Sequence, residues 1–299
     1  MPEPIPESIL EETISEESLS KTTPASKTGP TRKYAVLISA GVTKADNSWG
    51  DSEYWYDLVS QYQLLKDHGF EDGNIYVLYG TGTDFVSGNH KYNSARRFGH
   101  SITKAAANAT DAAVTKANIE GVFKELNGKV TKNDHLYVWW MGHGSSLPRD
   151  PCYLSLFIGY TDEHVHSLDD EELSKYIGLV SNYKKRTIAI MTCHSGGFID
   201  DMSIVDNKTV TLVSSKCEES SYSYVNSSAC DDIFHAEFNY TLTNALRQKD
   251  PCDSPILSNT YRDGYVSLLE THQYNEKEMA WSTPLMGDPD GISRLEPFK

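Results

Sequence analysis

The chain has 299 residues and a mass of 33.4 kDa, with 38% hydrophobic and 23% charged residues. This length and composition allow a sizeable core without a metal or disulfide and exclude a wholly disordered protein. The formal net charge of -15 disfavours nucleic-acid binding, because phosphate neutralisation requires a basic surface. The longest apolar run lies around residues 136–141 and is too short for a membrane span, which needs about 20 residues.

Residues 1–32 form the first segment of the chain and are rich in Glu, Ser, Thr and Pro, with few large apolar residues. This composition predicts a mobile leader. The functional alternative is a propeptide that is cleaved near Lys27, Arg32 or Lys33. A basic start followed by an apolar core, which would mark a signal peptide, is absent from this form. We therefore expect a leader or propeptide over 1–32 and one folded domain over 33–299.

After the leader, apolar runs of strand length alternate with segments of helical periodicity. The predicted strands lie at 34–40, 75–79, 135–141, 186–192 and 210–214, and a long polar insertion lies at 81–113. The first predicted helix has an apolar stripe of Tyr54, Leu58, Tyr62 and Leu65 and stops at Gly69. Later helices are predicted after the caps Thr115 and Ser167 and over 233–246. The alternation predicts a mostly parallel sheet with helices on both faces. Ligands of such sheets bind beyond the carboxyl ends of the strands.

Two of the predicted strands are followed by residues that can carry chemistry. His143 lies between Gly142 and Gly144 after the third strand, and Cys193 follows the fourth strand and precedes small residues. If the two strands are neighbours, the imidazole can take the proton of the thiol and create a strong nucleophile. The sequence therefore predicts a Cys/His dyad for acyl transfer. The alternatives are a small buried cysteine and a simple turn histidine.

Other motifs and histidines give weaker signals. The chain has no G-x-G-x-x-G, no P-loop and no G-x-S-x-G elbow, which disfavours a dinucleotide site, a nucleotide phosphate site and a serine hydrolase. His194 adjoins the cysteine, but adjacent side chains diverge at a strand end. His164 and His166 could be metal ligands, yet they have no evident third partner. We therefore expect no metal and no cofactor.

The remaining cysteines and the N-x-S/T sequons bear on the cellular compartment. Four cysteines form two disulfides in an oxidising compartment or stay thiols in a reducing one, and they are Cys152, Cys217, Cys230 and Cys252. Four sequons, a pattern that also arises by chance, lie at Asn108, Asn207, Asn226 and Asn239. These features slightly favour a secreted or secretory-compartment protein.

Three blocks of the chain resemble the caspase-like cysteine peptidases of clan CD, and among these most the legumain family. YAVLISAG followed by YDLVSQYQLLKDHGFEDGNIYVLY resembles the first strand, helix and second strand of that family. WWMGHGS and IMTCHSGG match the catalytic pattern of the clan, in which one strand ends in His-Gly and another in Cys-x-Ser-Gly. SSKCEESSYSY resembles the stretch that lines the legumain specificity pocket. The resemblance covers roughly residues 33–245.

The resemblance implies a three-layer α/β/α sandwich of the caspase-like type with a mostly parallel central sheet. It also implies that Cys193 is the nucleophile, that His143 is the general base and acid, and that the N–H groups of Gly144 and Cys193 form the oxyanion hole. In the family an Asn orients the catalytic His, and Asp51 aligns at that position. An Asp can orient an imidazole, although Asp51 is equally suited to cap the following helix.

The same alignment changes the charge of the specificity pocket. Glu53 stands where the family has a pocket Arg, and Asp231 or Asp232 falls near the acidic pocket residue. Two carboxylates at the base of a pocket favour a Lys or Arg side chain by charge pairing. The alternative for Glu53 is a solvated residue in the first turn of a helix. The other residues that the alignment places around the pocket are Glu219, Ser220 and Ser221.

We therefore predict a cysteine endopeptidase that acts through a thioester acyl-enzyme and cleaves peptide or protein substrates after Lys or Arg, with Asn as the second choice. Many relatives are zymogens, which predicts self-cleavage at one of four basic positions, namely Lys27, Arg32, Lys33 or Lys208. Two alternatives stay open. One is a legumain-like transpeptidase, in which an amine replaces water, and the other is a non-catalytic caspase-fold scaffold that binds peptides or partners.

Overall fold

The computed structural model describes most of the chain after the predicted leader. The described residues are 31–40, 49–84, 109–160, 165–203, 208–225, 234–289, 291–295 and 298, and at 49–52 only the backbone is described. Several predicted residues therefore lie outside the described part of the chain, namely Lys27, Asn108, His164, Asn207, Asn226, Cys230, Asp231 and Asp232.

Strands and helices alternate along the first two thirds of the described chain. The strands are β1 (Lys33–Ser39), β2 (Ile75–Tyr79), β3 (His135–Met141), β4 (Gly144–Leu147), β5 (Asp150–Tyr160), β6 (Val165–Asp169), β7 (Lys185–Met191), β8 (Thr209–Val213), β9 (Ser223–Val225), β10 (Phe234–Ala236) and β11 (Leu285–Gly287). The helices are α1 (Trp49–Asp67), α2 (Lys116–Lys129), α3 (Asp170–Gly178), α4 (Phe198–Ser203), α5 (Glu237–Arg247) and α6 (Leu268–Glu278).

A six-stranded sheet in the order β11-β8-β7-β3-β1-β2 lies at the centre of the fold. Five of its strands are parallel, and β11 pairs antiparallel to β8 at one edge. Successive residues of β1 point to opposite faces of the sheet, with Ala35 and Leu37 in one core cluster and Val36 and Ile38 in the other. Helices α1, α5 and α6 cover the first face and α2, α3 and α4 the second. The predicted three-layer α/β/α sandwich is confirmed.

Two of the predicted helix boundaries are correct and two are wrong. Gly69 follows the end of α1 with φ 79, and the Thr115 hydroxyl accepts the N–H of Asn118 at the start of α2. Ser167 instead lies within β6, and Asp169 caps α3 because its carboxylate accepts the N–H of Glu172 at 2.7 Å. The helix predicted from 233 begins at Glu237, since the residues before it pair with β9 as β10.

A three-stranded antiparallel sheet in the order β4-β5-β6 was not predicted. It follows β3 directly, and its central strand buries Leu154, Leu156 and Ile158, while the alternate residues are partly exposed. This period of two is typical of a strand with one buried face. The small sheet positions Cys152 close to the carboxyl end of the central sheet.

Two of the predicted self-cleavage positions are held by hydrogen bonds in the folded chain. Lys33 is the first residue of β1 and pairs with His135. The Arg32 N–H donates to Asp134 at 2.8 Å, and its carbonyl accepts the N–H of His135 at 2.9 Å. Proteolysis requires a segment that can leave the fold, so these hydrogen bonds disfavour cleavage after Arg32 or Lys33, which stays a prediction. Lys208 is exposed just before β8, and its carbonyl likewise accepts the N–H of Arg186 at 2.9 Å.

One of the four sequons lies in the interior. Asn239 is 1% exposed, accepts the indole N–H of Trp139 at 3.0 Å and donates to Asp57 at 3.3 Å. Asp57 also bonds to His235 Nδ1 at 2.6 Å. A glycan cannot be attached to a side chain that is buried in this network. Among the described helices, none is both long and apolar enough to cross a lipid bilayer.

Candidate active site

Strands β3 and β7 bring the two predicted catalytic residues to the same edge of the central sheet. The strands are parallel neighbours with Met141 opposite Met191, and the Gly142 N–H donates to the Met191 carbonyl at 3.1 Å. His143 and Cys193 each lie two residues beyond this matched pair. Adjacent strands are about 4.8 Å apart, so the register places both residues above one gap between strands.

Cys193 is a free, partly exposed cysteine at the turn after β7. The Ser221 N–H donates to its Sγ at 3.4 Å, and the Sγ lies 3.8 Å from the Ser221 carbonyl oxygen. The segment that the sequence assigned to the specificity pocket therefore contacts the sulfur directly through its backbone.

His194 points away from the sulfur. Its backbone has φ 62, its Nδ1 bonds to the Cys217 carbonyl at 2.6 Å, and its N–H donates to the Glu219 carbonyl at 2.8 Å. The Nδ1 bond directs the ring to the Cys217 carbonyl. The exclusion of His194 on the sequence pattern agrees with its position.

Gly196 and Gly197 follow Cys193 and allow a disulfide to pack against this loop from two sides. Cys152 and Cys217 are joined by a disulfide that connects β5 to the loop after β8. A Cβ on Gly197 would overlap the Cys152 carbonyl oxygen, and one on Gly196 would lie 2.7 Å from the Cys217 nitrogen. Cys252 is also disulfide-bonded. Of the two compartments left open by the cysteine count, an oxidising one agrees with these bonds.

His143 contacts the tyrosine at the start of helix α1. Its Nε2 lies 2.9 Å from the Tyr54 hydroxyl, and the two rings meet edge to face with centroids 5.6 Å apart. Phe157 lies on another side, with a centroid distance of 6.5 Å. The protein around the ring excludes part of its water, and this burial lowers the pKa of His143. The imidazole is therefore neutral, and able to accept a proton, over a wider pH range than a free histidine.

Gly144 lies against the nucleophile loop. A Cβ at this position would collide with the Thr192 hydroxyl and lie 2.6 Å from the Cys193 carbonyl oxygen. Only glycine fits without moving the backbone of the loop. This close approach packs Gly144 against the peptide of Cys193. That the two N–H groups form an oxyanion hole stays a prediction.

The structure describes four of the residues predicted for the pocket. Glu53 is only 8% exposed and immediately precedes Tyr54, so it is not the solvated first-turn residue of the alternative interpretation. Ser220 is exposed, and Ser221 donates its hydroxyl to the Thr192 carbonyl at 2.9 Å. The Ser221 hydroxyl therefore joins strand ends together rather than lining an open wall. The side chain of Asp51 lies outside the described residues.

Glu219 is held in its charged form. Burial would raise its pKa, but hydrogen bonds from the Thr283 N–H and hydroxyl, both at 2.9 Å, outweigh this effect and lower the pKa. The side chain keeps about a third of its surface exposed and also pairs with Lys216. Glu219 thus presents a negative charge two residues away from the amide that contacts Cys193.

A cavity of about 310 Å³ lies beside this loop and was not predicted. It is lined by Glu276 and by the segment from Met279 to Pro284. Tyr222 and Trp281, with 47% and 65% exposure, place their rings 6.4 Å apart at this surface. The sequence has no periodic signal here, because the segment belongs to neither a long helix nor a long strand.

The described residues contain no group of three or more His, Cys, Asp or Glu side chains that could hold a metal ion. His166, one of the two histidines considered for this role, lies exposed in β6.

Comparison with known proteins gives a family match over most of the chain. Residues 33–283 match the Peptidase C13 family. The chain is similar to the vacuolar-processing enzyme beta-isozyme of Arabidopsis thaliana, with 24% identity over 209 residues, which is 64% of this chain and 39% of that enzyme. The matched region therefore spans about two fifths of the length of this relative.

Two solved structures are similar in fold. A structural genomics target from Geobacter sulfurreducens has 14% identity and a TM-score of 0.51, and the match covers 90% of this chain and 98% of that one. Caspase-1 from Spodoptera frugiperda has 13% identity and a TM-score of 0.49, with 86% of each chain covered.

Proposed function

Because this chain belongs to the Peptidase C13 family, we propose that it is a cysteine endopeptidase with Cys193 as nucleophile and His143 as general base and acid. The observation that carries the proposal is the register of β3 and β7, which places a free cysteine and a histidine two residues beyond one matched pair. The lowered pKa of His143 supports its role as a proton acceptor at neutral and mildly acidic pH.

In the first half of the proposed reaction, His143 takes the thiol proton and the sulfur of Cys193 attacks the carbonyl carbon of the scissile peptide. The N–H groups of Gly144 and Cys193 donate to the negative oxygen of the tetrahedral intermediate, and one such donor typically contributes about 3 kcal/mol. The C–N bond then breaks, and the imidazolium gives its proton to the leaving amine. A thioester remains on Cys193.

In the second half, water attacks the thioester. His143 takes a proton from the water, and the C–S bond breaks to release a carboxylic acid. The proton returns to the sulfur and the free enzyme is restored. If an amine attacks in place of water, the same intermediate forms a new peptide bond, which is the transpeptidase alternative. Mass spectrometry of the products with an added amine nucleophile distinguishes the two outcomes.

We also propose that the substrate residue before the scissile bond is Lys or Arg, with Asn as the second choice. Support comes from two carboxylates, the buried Glu53 next to Tyr54 and the ionised Glu219, two residues before the Ser221 amide. Both lie within a few residues of groups that contact His143 or Cys193. A cationic side chain would pair with this negative charge.

A panel of fluorogenic peptides with Arg, Lys, Asn or Asp before the scissile bond tests both statements. We expect kcat/KM to be highest for Arg and Lys peptides and to fall at least tenfold for these two in Glu53→Gln, with no comparable loss for the Asn peptide. Cys193→Ala should lose all activity. Dominant turnover of Asn or Asp peptides would contradict the basic specificity, and full activity of Cys193→Ala would contradict the nucleophile.

The compartment that we propose is secretory or vacuolar. The disulfide between Cys152 and Cys217 requires an oxidising environment to form, and the similar Arabidopsis protein is named a vacuolar-processing enzyme. If the protein is a zymogen, self-cleavage at Lys208, whose side chain is exposed, and at Lys27 remain predictions. N-terminal sequencing of wild type beside Cys193→Ala would show whether any cleavage depends on the enzyme itself.

A further inference from the structure

We propose that Tyr54 is the residue that positions His143, in the role that the sequence assigned to Asp51. The inference rests on the proposed function and names a group that the sequence alignment did not provide. Its basis is the 2.9 Å contact between the Tyr54 hydroxyl and His143 Nε2. An imidazole has two ring nitrogens. With Nε2 engaged by the phenol, Nδ1 is the nitrogen left to exchange the proton with Cys193.

The phenol is held firmly enough to fix the imidazole. Tyr54 is only 5% exposed, and its ring belongs to the core cluster between α1 and the central sheet. Its backbone carbonyl accepts the hydroxyl of Ser39, the last residue of β1, at 3.0 Å. Because β1 is hydrogen-bonded along its length to β3, this bond ties Tyr54 to the strand that carries His143. The edge-to-face ring contact restricts rotation of the imidazole further.

A phenol orients a histidine differently from a carboxylate. In the base form of the dyad, His143 carries its proton on Nε2 and donates it to the Tyr54 oxygen, so Nδ1 presents a lone pair to the thiol. After proton transfer, the imidazolium still donates from Nε2 to the same oxygen, and no bond has to be remade. A carboxylate would in addition stabilise the imidazolium by its charge. The neutral phenol fixes the ring without that charge and is compatible with a histidine whose burial keeps it neutral.

The test removes one oxygen atom. Tyr54→Phe keeps the ring and its packing, and Tyr62→Phe is the matched control, because Tyr62 lies on the same face of α1 and donates its hydroxyl to Asp72, on the surface. We expect Tyr54→Phe to lower kcat at least tenfold with KM changed less than twofold. Thermal melting followed by circular dichroism compares the folding of the variants.

A second readout does not depend on peptide hydrolysis. The rate at which iodoacetamide alkylates Cys193 is measured from pH 5 to pH 9 in wild type and both variants. We expect Tyr54→Phe to react at least fivefold more slowly at pH 6, with a profile closer to that of an ordinary thiol, because a misplaced imidazole no longer supports the thiolate. The Tyr62→Phe profile should match that of wild type.

The outcomes separate this proposal from the proposed function. A Tyr54→Phe variant with wild-type kcat and a wild-type alkylation profile overturns the positioning role. The role is also overturned if Tyr62→Phe lowers kcat and the alkylation rate as much as Tyr54→Phe does. If wild type hydrolyses no peptide in the panel, the peptidase proposal fails. In that case a slower alkylation of Tyr54→Phe still supports the positioning of His143, and an unchanged alkylation overturns it.

Discussion

Gly144 is a residue at which the smallest side-chain addition should affect catalysis. In Gly144→Ala the new methyl group would collide with the Thr192 hydroxyl and press against the Cys193 carbonyl oxygen. Overpacking of this kind typically costs about 1–3 kcal/mol, and here the displaced atoms include the nucleophile loop. We expect kcat/KM to fall at least tenfold, with a lower Tm in calorimetry.

Gly121→Ala is the control for this substitution. Gly121 is an exposed residue of α2, and a Cβ added there would have no atom within 4 Å apart from its own helix backbone. Replacing Gly by Ala in a helix typically stabilises it by about 0.5–1 kcal/mol. The control should keep full activity with an equal or higher Tm. Unchanged activity in Gly144→Ala would show that the contact between the two catalytic loops is not needed.

The residues of the proposed site were accessible from the sequence to different degrees. Cys193 and His143 could be predicted because each follows an apolar run that only a buried strand explains. Tyr54 could not, because its position in the apolar stripe of α1 is equally typical of a core residue, and a phenol that is buried by packing gives the same pattern as one that bonds to an imidazole. Ser221 was predicted to line the pocket wall, whereas its hydroxyl donates to the Thr192 carbonyl and its amide donates to the Cys193 Sγ.

At the scale of elements, the Cys152–Cys217 disulfide joins β5 to the loop after β8 and packs against the loop that follows β7. We expect Cys152→Ala combined with Cys217→Ala to lower the free energy of unfolding by about 2–4 kcal/mol, because the bond closes a loop with a sequence separation of 65 residues. Denaturant unfolding measures this loss. The turnover number should also fall at 25 °C, since Gly196 and Gly197 pack against the two half-cystines.

Retention of activity after removal of the disulfide would contradict its role in holding the loop, even if stability falls. The control is the wild-type protein with Cys193 blocked by iodoacetamide, whose unfolding transition should match that of the untreated protein. This comparison separates loss of the bond from modification of the free thiol.

The strands and helices differed in how well they could be predicted from the sequence. The five parallel strands of the central sheet are buried and read as continuous apolar runs, so their positions could be predicted within one residue, whereas the short antiparallel strand β11 was missed. Strand β5 alternates apolar and polar residues between turn-forming segments and was missed, as was α6, although Ser267 and Glu270 form a capping box that is visible in the sequence. The wrong cap at Ser167 arose because Asp169, two residues later, competes for the same role and is the better acceptor for the helix N-terminus.

At the scale of the whole molecule, the strand order explains why the site forms where it does. Strand β1 lies between β2 and β3, and β7 and β8 extend the sheet in the other direction from β3. The pattern of alternating elements predicts a parallel sheet but not this order, because many orders bury the same apolar faces. The adjacency of β3 and β7 was therefore a condition of the predicted dyad, and the register between them meets it.

The pH dependence of stability is governed in part by two carboxylates on the second face of the sheet. Burial raises the pKa of Asp201 to about 7, and the negative charge of Asp170 adds to this effect. Burial also raises the pKa of Asp170 to about 6, although the hydrogen bonds that Asp170 accepts from backbone N–H groups oppose the shift. Both values exceed the ordinary value of 3.8, so the folded state binds protons more tightly than the unfolded state. The contribution of these two groups to the free energy of unfolding should therefore rise as the pH falls from 8 towards 5.

Asp201→Asn tests this dependence because it removes the charge with little change in shape. We expect the variant to be more stable than wild type at pH 8 by about 1 kcal/mol, an amount reduced by the partial exposure of the side chain, and to show a flatter profile between pH 8 and pH 5 in urea unfolding. Asp67→Asn, which changes an exposed carboxylate at the end of α1, should leave the profile as in wild type. A wild-type protein that loses stability over the same range of falling pH would show that these two carboxylates do not dominate its titration.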